Sequence, residues 1–146
     1  MNAKEFVSSL FQQWEEGDSS AFMNALAPDV IWTAKGRTPI SGTYHGKNEY
    51  MEKCYKHLLA IFRGPTACRV HRILADGNTV VVEWHGETPL ESNRMYSQDY
   101  CWLVRVGEGS QTIQEVTGYF DTALVNEILA DSSPASQNIV GRKLDL

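Results

Sequence analysis

Between residues 6 and 14 the apolar side chains fall at Phe6, Val7, Leu10, Phe11 and Trp14. That spacing of three and four lays one greasy stripe along a helix. Asn2 is placed to cap its start, with Glu5 three residues on, and Gly17 suits its end. Asp18 predicts the cap of a second, short helix through Leu26, which Pro28 stops. The run VIWTA, 30–34, predicts a short strand, and a loop rich in Gly, Pro, Ser and Thr follows it. GKNEYMEKCYKHLLAIF, 46–62, predicts a third helix with Met51, Cys54, Tyr55, Leu58 and Phe62 on one face. Gly64 and Pro65 end it.

The second half reads differently. TACRVHRILA and TVVVEWHGE predict two strands joined by the hairpin signal DGN. RMYSQDYCWLVRV and QTIQEVTGYFD predict a second long pair across GEGS. Strands joined in sequence by hairpins make an antiparallel sheet. Helices gathered on one side of such a sheet define an α+β layer architecture. There is no repeat and no second domain, so residues 1–130 are expected to form one unit. The polar stretch 131–146 is expected to be a C-terminal tail, loose or docked on a partner.

Bulk properties narrow the function classes. At 146 residues the chain is of single-domain size. Its net charge of −5 comes with acids and bases mixed along the chain, so there is no basic stripe for nucleic acid or an anionic membrane. No apolar run is long enough to span a bilayer, and Glu5 and Gln12 interrupt any signal-peptide core. The three cysteines, Cys54, Cys68 and Cys101, lack metal spacing and cannot all pair. Reduced thiols in a cytoplasmic protein are the expectation. His45 and His57 have no ligand partner at helical spacing, so neither metal nor cofactor is expected.

Three stretches carry a family likeness: FQQWEEGDSSAFMNALAPDVIW, GTYHGKNEYM, and CWLVRV followed by TIQEVTGYFDTALV. Together they resemble the SnoaL-like and ketosteroid isomerase-like proteins of the nuclear transport factor 2-like superfamily, over roughly residues 3 to 130. The resemblance implies a cystatin-like cone, in which a strongly curved, mixed antiparallel sheet wraps around the helices of the N-terminal half. It implies a pocket on the concave face and a homodimer through the convex one. Fold alone does not fix function, since isomerases, cyclases, dehydratases, epoxide hydrolases and non-enzymes share it.

The family's chemistry commonly rests on a carboxylate in the apolar cone, where burial shifts its pKa toward neutrality. Carried over position by position, the isomerase base falls at Ala34, its oxyanion tyrosine at Leu10 and its protonated aspartate at Trp102. The aspartate of the cyclases and epoxide hydrolases falls at Gly118, just before the shared Tyr119, Phe120 and Asp121. The hydrolase's arginine and second aspartate fall near Trp84 and Gly86. None of these residues carries an acid.

The same alignment sets the strand faces, because side chains alternate along a strand. Tyr96, Gln98, Tyr100 and Trp102 are expected to look inward, as are Val80, Val82 and Trp84, and Val116, Gly118 and Phe120. Trp14, Trp32 and Tyr55 close the cavity from the helical side, and the missing side chain at Gly118 is expected to leave room for a ligand. The plainer reading of these rings is a packed core. His85, Glu83, Asp99 and Tyr119 are expected to face outward, as a polar ladder, and Asp121 to cap the tail helix. Two functional readings stay open. One is a protein that binds a small hydrophobic or aromatic molecule. The other is an isomerase, cyclase, dehydratase or epoxide hydrolase acting on a steroid-like, terpenoid or polyketide substrate. The second needs a relocated base among His85, Asp99 and Asp121, brought inward by a slip of strand register or a bulge.

Overall fold

A computed structural model of the chain describes residues 1–109 and 111–131. The tail expected over 131–146 lies outside the described residues, apart from Asp131 at the end of the last helix. The Asn2 side chain accepts the Glu5 N–H at 2.8 Å, and the Glu5 carboxylate accepts the Asn2 N–H at 3.2 Å. This reciprocal cap starts helix α1 (Ala3–Glu15), whose residues Phe6, Val7, Leu10 and Phe11 are buried. Helix α2 (Ser20–Asn24) is shorter than the sequence predicts, because strand β1 (Leu26–Ala34) already begins at Leu26. The Ala25 carbonyl takes the Ile113 N–H at 2.8 Å, which draws the chain into the sheet. Pro28 lies inside β1, where the register against strand β6 (Ile113–Phe120) shifts between Leu26 and Ile31. A residue without an N–H is tolerated at such an irregularity.

Strand β2 (Gly42–His45) occupies what the sequence presents as loop. It is a four-residue edge strand with only Tyr44 buried, too short to show alternation. The third helix comes in three pieces: α3 (Lys47–Tyr50), a π-helical turn (Met51–Tyr55) and α4 (Lys56–Leu59). Then follow β3 (Ala67–Asp76), β4 (Thr79–Pro89), β5 (Met95–Val106), β6 (Ile113–Phe120) and α5 (Thr122–Asp131). The six strands lie in the order β2-β1-β6-β5-β4-β3. Only the β1–β6 pairing is parallel, so the sheet is mixed. This is the α+β architecture predicted, a curved sheet laid over the N-terminal helices, with β2 added. No helix among the described residues is long and apolar enough to cross a membrane.

The core lies between α1, α2 and the inner sheet face. Along β4, Val80, Val82, Trp84, Gly86 and Thr88 are buried, and along β5, Tyr96, Gln98, Trp102, Val104 and Val106. Phe22, fully buried, sits at the centre of the rings, 5.2 Å from Trp102, 5.4 Å from Phe11 and 6.3 Å from Trp32 between centroids. Phe22→Ala is therefore expected to lower stability by about 3–5 kcal/mol, read as a fall in the urea midpoint at unchanged slope. A loss below about 1 kcal/mol would mean that the cluster closes over the gap and that Phe22 is not its centre.

Candidate functional site

Cross-strand register brings the candidate residues together. Ala34, Gly118, Trp102 and Val82 are successive partners across β1, β6, β5 and β4. Phe120, Tyr100 and Trp84 form the next row. The positions where the resemblance places acids thus converge on one patch of the inner face, and it holds an alanine, a glycine and an indole. Between this face and the helices is a cavity of about 80 Å³. Trp14, Trp32, Tyr55, Trp84, Tyr96, Tyr100, Trp102, Gly118 and Phe120 line it. Val116 does not: it is fully buried one row deeper, between its partners Trp32 and Val104.

Gly118 is used differently from the expectation. A Cβ there would lie 3.1 Å from the Trp102 indole nitrogen, so the glycine makes room for that indole rather than for a ligand. Gly86 works in the same way, since a Cβ there would come within 2.9 Å of the Trp84 ring and 3.2 Å of Tyr100. The bare backbone lets large rings lie flat across the sheet. Trp84 stacks on Tyr100 with centroids 4.3 Å apart and planes 17° apart, and Trp102 meets Trp84 edge-on at 4.9 Å. Trp14 closes the far side at 4.7 Å from Trp84, its indole N–H donating to the Thr66 carbonyl at 2.9 Å.

Sequence patterning missed Tyr50 and Val125. In an α-helix residues five apart stand on different faces, so Tyr50 was not on the predicted stripe. The π turn brings Tyr50 and Tyr55 to one side, their rings parallel within 9° at 6.0 Å, and Tyr50 stacks on Trp32 at 4.1 Å. Val125 of α5 also lines the cavity, although this helix was expected only as the start of a tail. Gln98, fully buried on the inward row, ties β5 to the start of α5. Its Oε1 accepts the Asp121 N–H at 2.9 Å, and its Nε2 donates to the Asp121 carbonyl and to the Tyr96 hydroxyl, each at 3.1 Å.

The polar candidates lie elsewhere. Asp121 is exposed and accepts the Leu124 N–H at 3.2 Å, capping α5. His85 and Asp99 meet on the outer sheet face, Nδ1 to Oδ1, at 2.8 Å. The His85 Nε2 lies 3.0 Å from the Ser97 hydroxyl and 3.3 Å from Glu87. This has the atoms of a nucleophile–base–acid relay, but the Asp99 side chain is 83% exposed and the group stands in water on the sheet surface. Among the described residues no carboxylate, imidazole, amine or guanidinium lines the cavity. Burial raises Tyr96, drives Tyr50 and Tyr100 well above the usual phenol value, and pushes the Cys54 thiol up to about 12. Burial thus moves each of these wall groups further from neutrality. Among the described residues no group of three His, Cys, Asp or Glu side chains is placed to hold a metal ion. A larger surface groove of about 590 Å³ runs beside α4, but Glu52, Lys56, Arg63 and Glu91 line it and it faces solvent.

His85 makes the outer cluster measurable. Its hydrogen bond to Asp99 raises its pKa above the usual imidazole value; burial opposes this, and the bond to Glu87 and the charges of both carboxylates add to the rise. A raised folded-state value means that the cluster stabilises the protein below about pH 6.5 and loses that contribution as pH rises through the raised value. Proton NMR of the His85 ring should give a midpoint above 6.5, and Asp99→Asn should bring it down. An unchanged midpoint in the variant would show that the pair does not form in solution.

The sequence model of the SnoaL-like domain family matches residues 7–115. No curated protein matches the chain. Among solved structures, an NTF2-like protein from Burkholderia thailandensis is 21% identical, with a TM-score of 0.67, covering 86% of this chain and 95% of its own. TerC, co-crystallised with polyporic acid, is 18% identical with a TM-score of 0.67, covering 87% and 97%. A protein of ketosteroid isomerase-like fold from Catenulispora acidiphila, in complex with trimethylamine, is 15% identical with a TM-score of 0.61, covering 83% and 88%.

Proposed function

This chain belongs to the SnoaL-like domain family, and from that premise we propose that it binds a small, uncharged, largely apolar molecule in its cone and does no acid–base chemistry there. The observation that carries the proposal is the wall itself. It is built of rings, aliphatic groups, sulfur and hydroxyls, and among the described residues it has no carboxylate, imidazole, amine or guanidinium. Proton transfer needs a group within hydrogen-bond reach of the substrate whose pKa is near the working pH. The candidates His85, Asp99 and Asp121 are tied down outside the cavity.

Volume sets the class of occupant. About 80 Å³ is the room of two or three waters, which suits an organic molecule of roughly four or five heavy atoms. A steroid-sized ligand needs several hundred Å³. Flat single-ring molecules enter only if the half-buried side chains Met23, Tyr55, Leu58 and Phe62 along the lining swing aside. That fold neighbours hold polyporic acid and trimethylamine supports a ligand-holding cone. We also propose a homodimer through the outer sheet face, where Val81, Leu103 and Thr117 run side by side across β4, β5 and β6.

Titration with a panel of small ketones, alkenes and single-ring aromatics is expected to give saturable changes in tryptophan fluorescence and in the indole N–H resonances. Ala34→Ile fills the cavity from β1 and is expected to weaken binding at least tenfold, with a stability change of about 1–3 kcal/mol. No turnover is expected when ketosteroids and epoxides are supplied as substrates in a separate assay. If no compound saturates, the binding proposal fails; turnover that Asp99→Asn abolishes would establish the enzymatic reading instead.

A further inference from the structure

Resting on the binding proposal, the donor count assigns the kind of molecule the cavity holds. The Gln98 amide cannot be turned around. The Asp121 N–H offers only a donor and its carbonyl only an acceptor, so Oε1 must face the first and Nε2 the second. The remaining N–H of Nε2 then donates to the Tyr96 oxygen. The Tyr96 and Tyr100 hydroxyls lie 3.3 Å apart and share one hydrogen bond. Two hydroxyls carry two protons, and one bond between them uses one. The other has no acceptor among the described residues. Burial keeps both phenols protonated. The Trp84 indole N–H, on the same ring-lined wall, is fully buried and also lacks a partner. A buried donor left unmet costs about 1–3 kcal/mol.

We propose that the cavity is a donor seat for a small neutral molecule bearing an oxygen acceptor, a ketone or comparable carbonyl compound, which the Tyr96–Tyr100 hydroxyl pair holds. Its complement excludes the alternatives. Among the described residues the wall has no carboxylate to offset the O–H and N–H donors a cation would meet, and no cationic group to pair with a desolvated anion. The rings supply flat apolar contact around the acceptor's carbon frame. The Tyr96 oxygen accepts from both Gln98 and Tyr100, so the proton left for a guest is the one that Tyr96 itself carries.

The test uses three probes of four heavy atoms: acetone, 2-methylpropene as its apolar isostere, and trimethylammonium. Dissociation constants are measured for the wild type and for Y96F/Y100F. The preference for acetone over 2-methylpropene is expected to fall about 3- to 10-fold in the double variant, the factor for one net hydrogen bond. In the wild type, acetone is expected to shift the Trp84 indole N–H, assigned with Trp84→Phe, downfield, and 2-methylpropene is not. This second readout needs no altered tyrosine and decides the matter if the double variant does not fold. Equal preference in the two proteins, or equal indole shifts from both neutral probes, overturns the donor seat and leaves the binding proposal standing. Binding of trimethylammonium alone overturns it in favour of an aromatic cage for cations. Binding of none of the three overturns the donor seat and counts against the cone as a ligand site, which the wider panel then decides separately.

Discussion

Which face of β4, β5 and β6 meets the helices governs both the stability and the chemistry of this protein. On the inner face stand Val80, Val82, Trp84, Tyr96, Trp102, Val104 and Val116, all buried. At 1.5–3 kcal/mol per buried large apolar side chain, that row is worth roughly 10–20 kcal/mol, as much as a domain's whole net stability. On the outer face Glu83 pairs with Arg72, Arg105 with Glu115, and His85 with Asp99. A slip of one residue would exchange the two rows, exposing the rings and burying the charges. The register is therefore fixed by burial, and the same constraint holds every carboxylate, imidazole and guanidinium of these strands away from the cone.

Rings decide how much of the cone stays open. Trp14, Trp32, Trp84 and Trp102 fill a volume that a carboxylate, its substrate and water would otherwise share. Trp84 and Trp102 reach that arrangement because Gly86 and Gly118 leave space over the backbone for their rings. Edge-to-face and offset contacts between 4 and 6 Å favour such packing beyond simple burial. What remains is a gap between flat plates. Its smallness follows from ring packing, and its lack of charge from strand parity.

The helix cap at Asn2, the hairpins and the inward row were legible because each depends on local spacing: a donor three residues away, a turn dipeptide, an alternation of two. The elements that escaped depend on contacts distant in sequence. Strand β2 exists because β1 offers it an edge, from Ile31↔His45 to Ala34↔Gly42, and no alternation of its own declares it. The π turn changes the face on which Tyr50 stands, and a pattern that assumes 3.6 residues per turn cannot show that. The role of Gly118 was misjudged for a similar reason. An absent side chain signals a close approach, but whether a ligand or an indole makes that approach is settled only by where Trp102 comes to lie. Val116, correct in parity, falls a row too deep, because alternation gives direction and not depth.

The junction of β6 and α5 joins these threads. Asp121 caps α5 with its side chain and gives both its backbone groups to Gln98, so one residue ends the strand, starts the helix and clamps both to β5. Val125, one turn into that helix, is thereby brought over the cavity. The clamp is made entirely of hydrogen bonds whose direction the backbone dictates, so the amide at position 98 has a single orientation before any guest arrives. With both Gln98 and Tyr100 donating to the Tyr96 oxygen, the Tyr96 proton and the Trp84 indole N–H stay without an acceptor among the described residues. A cavity without charge can still discriminate among neutral molecules, because the fold fixes the direction in which its few polar groups point.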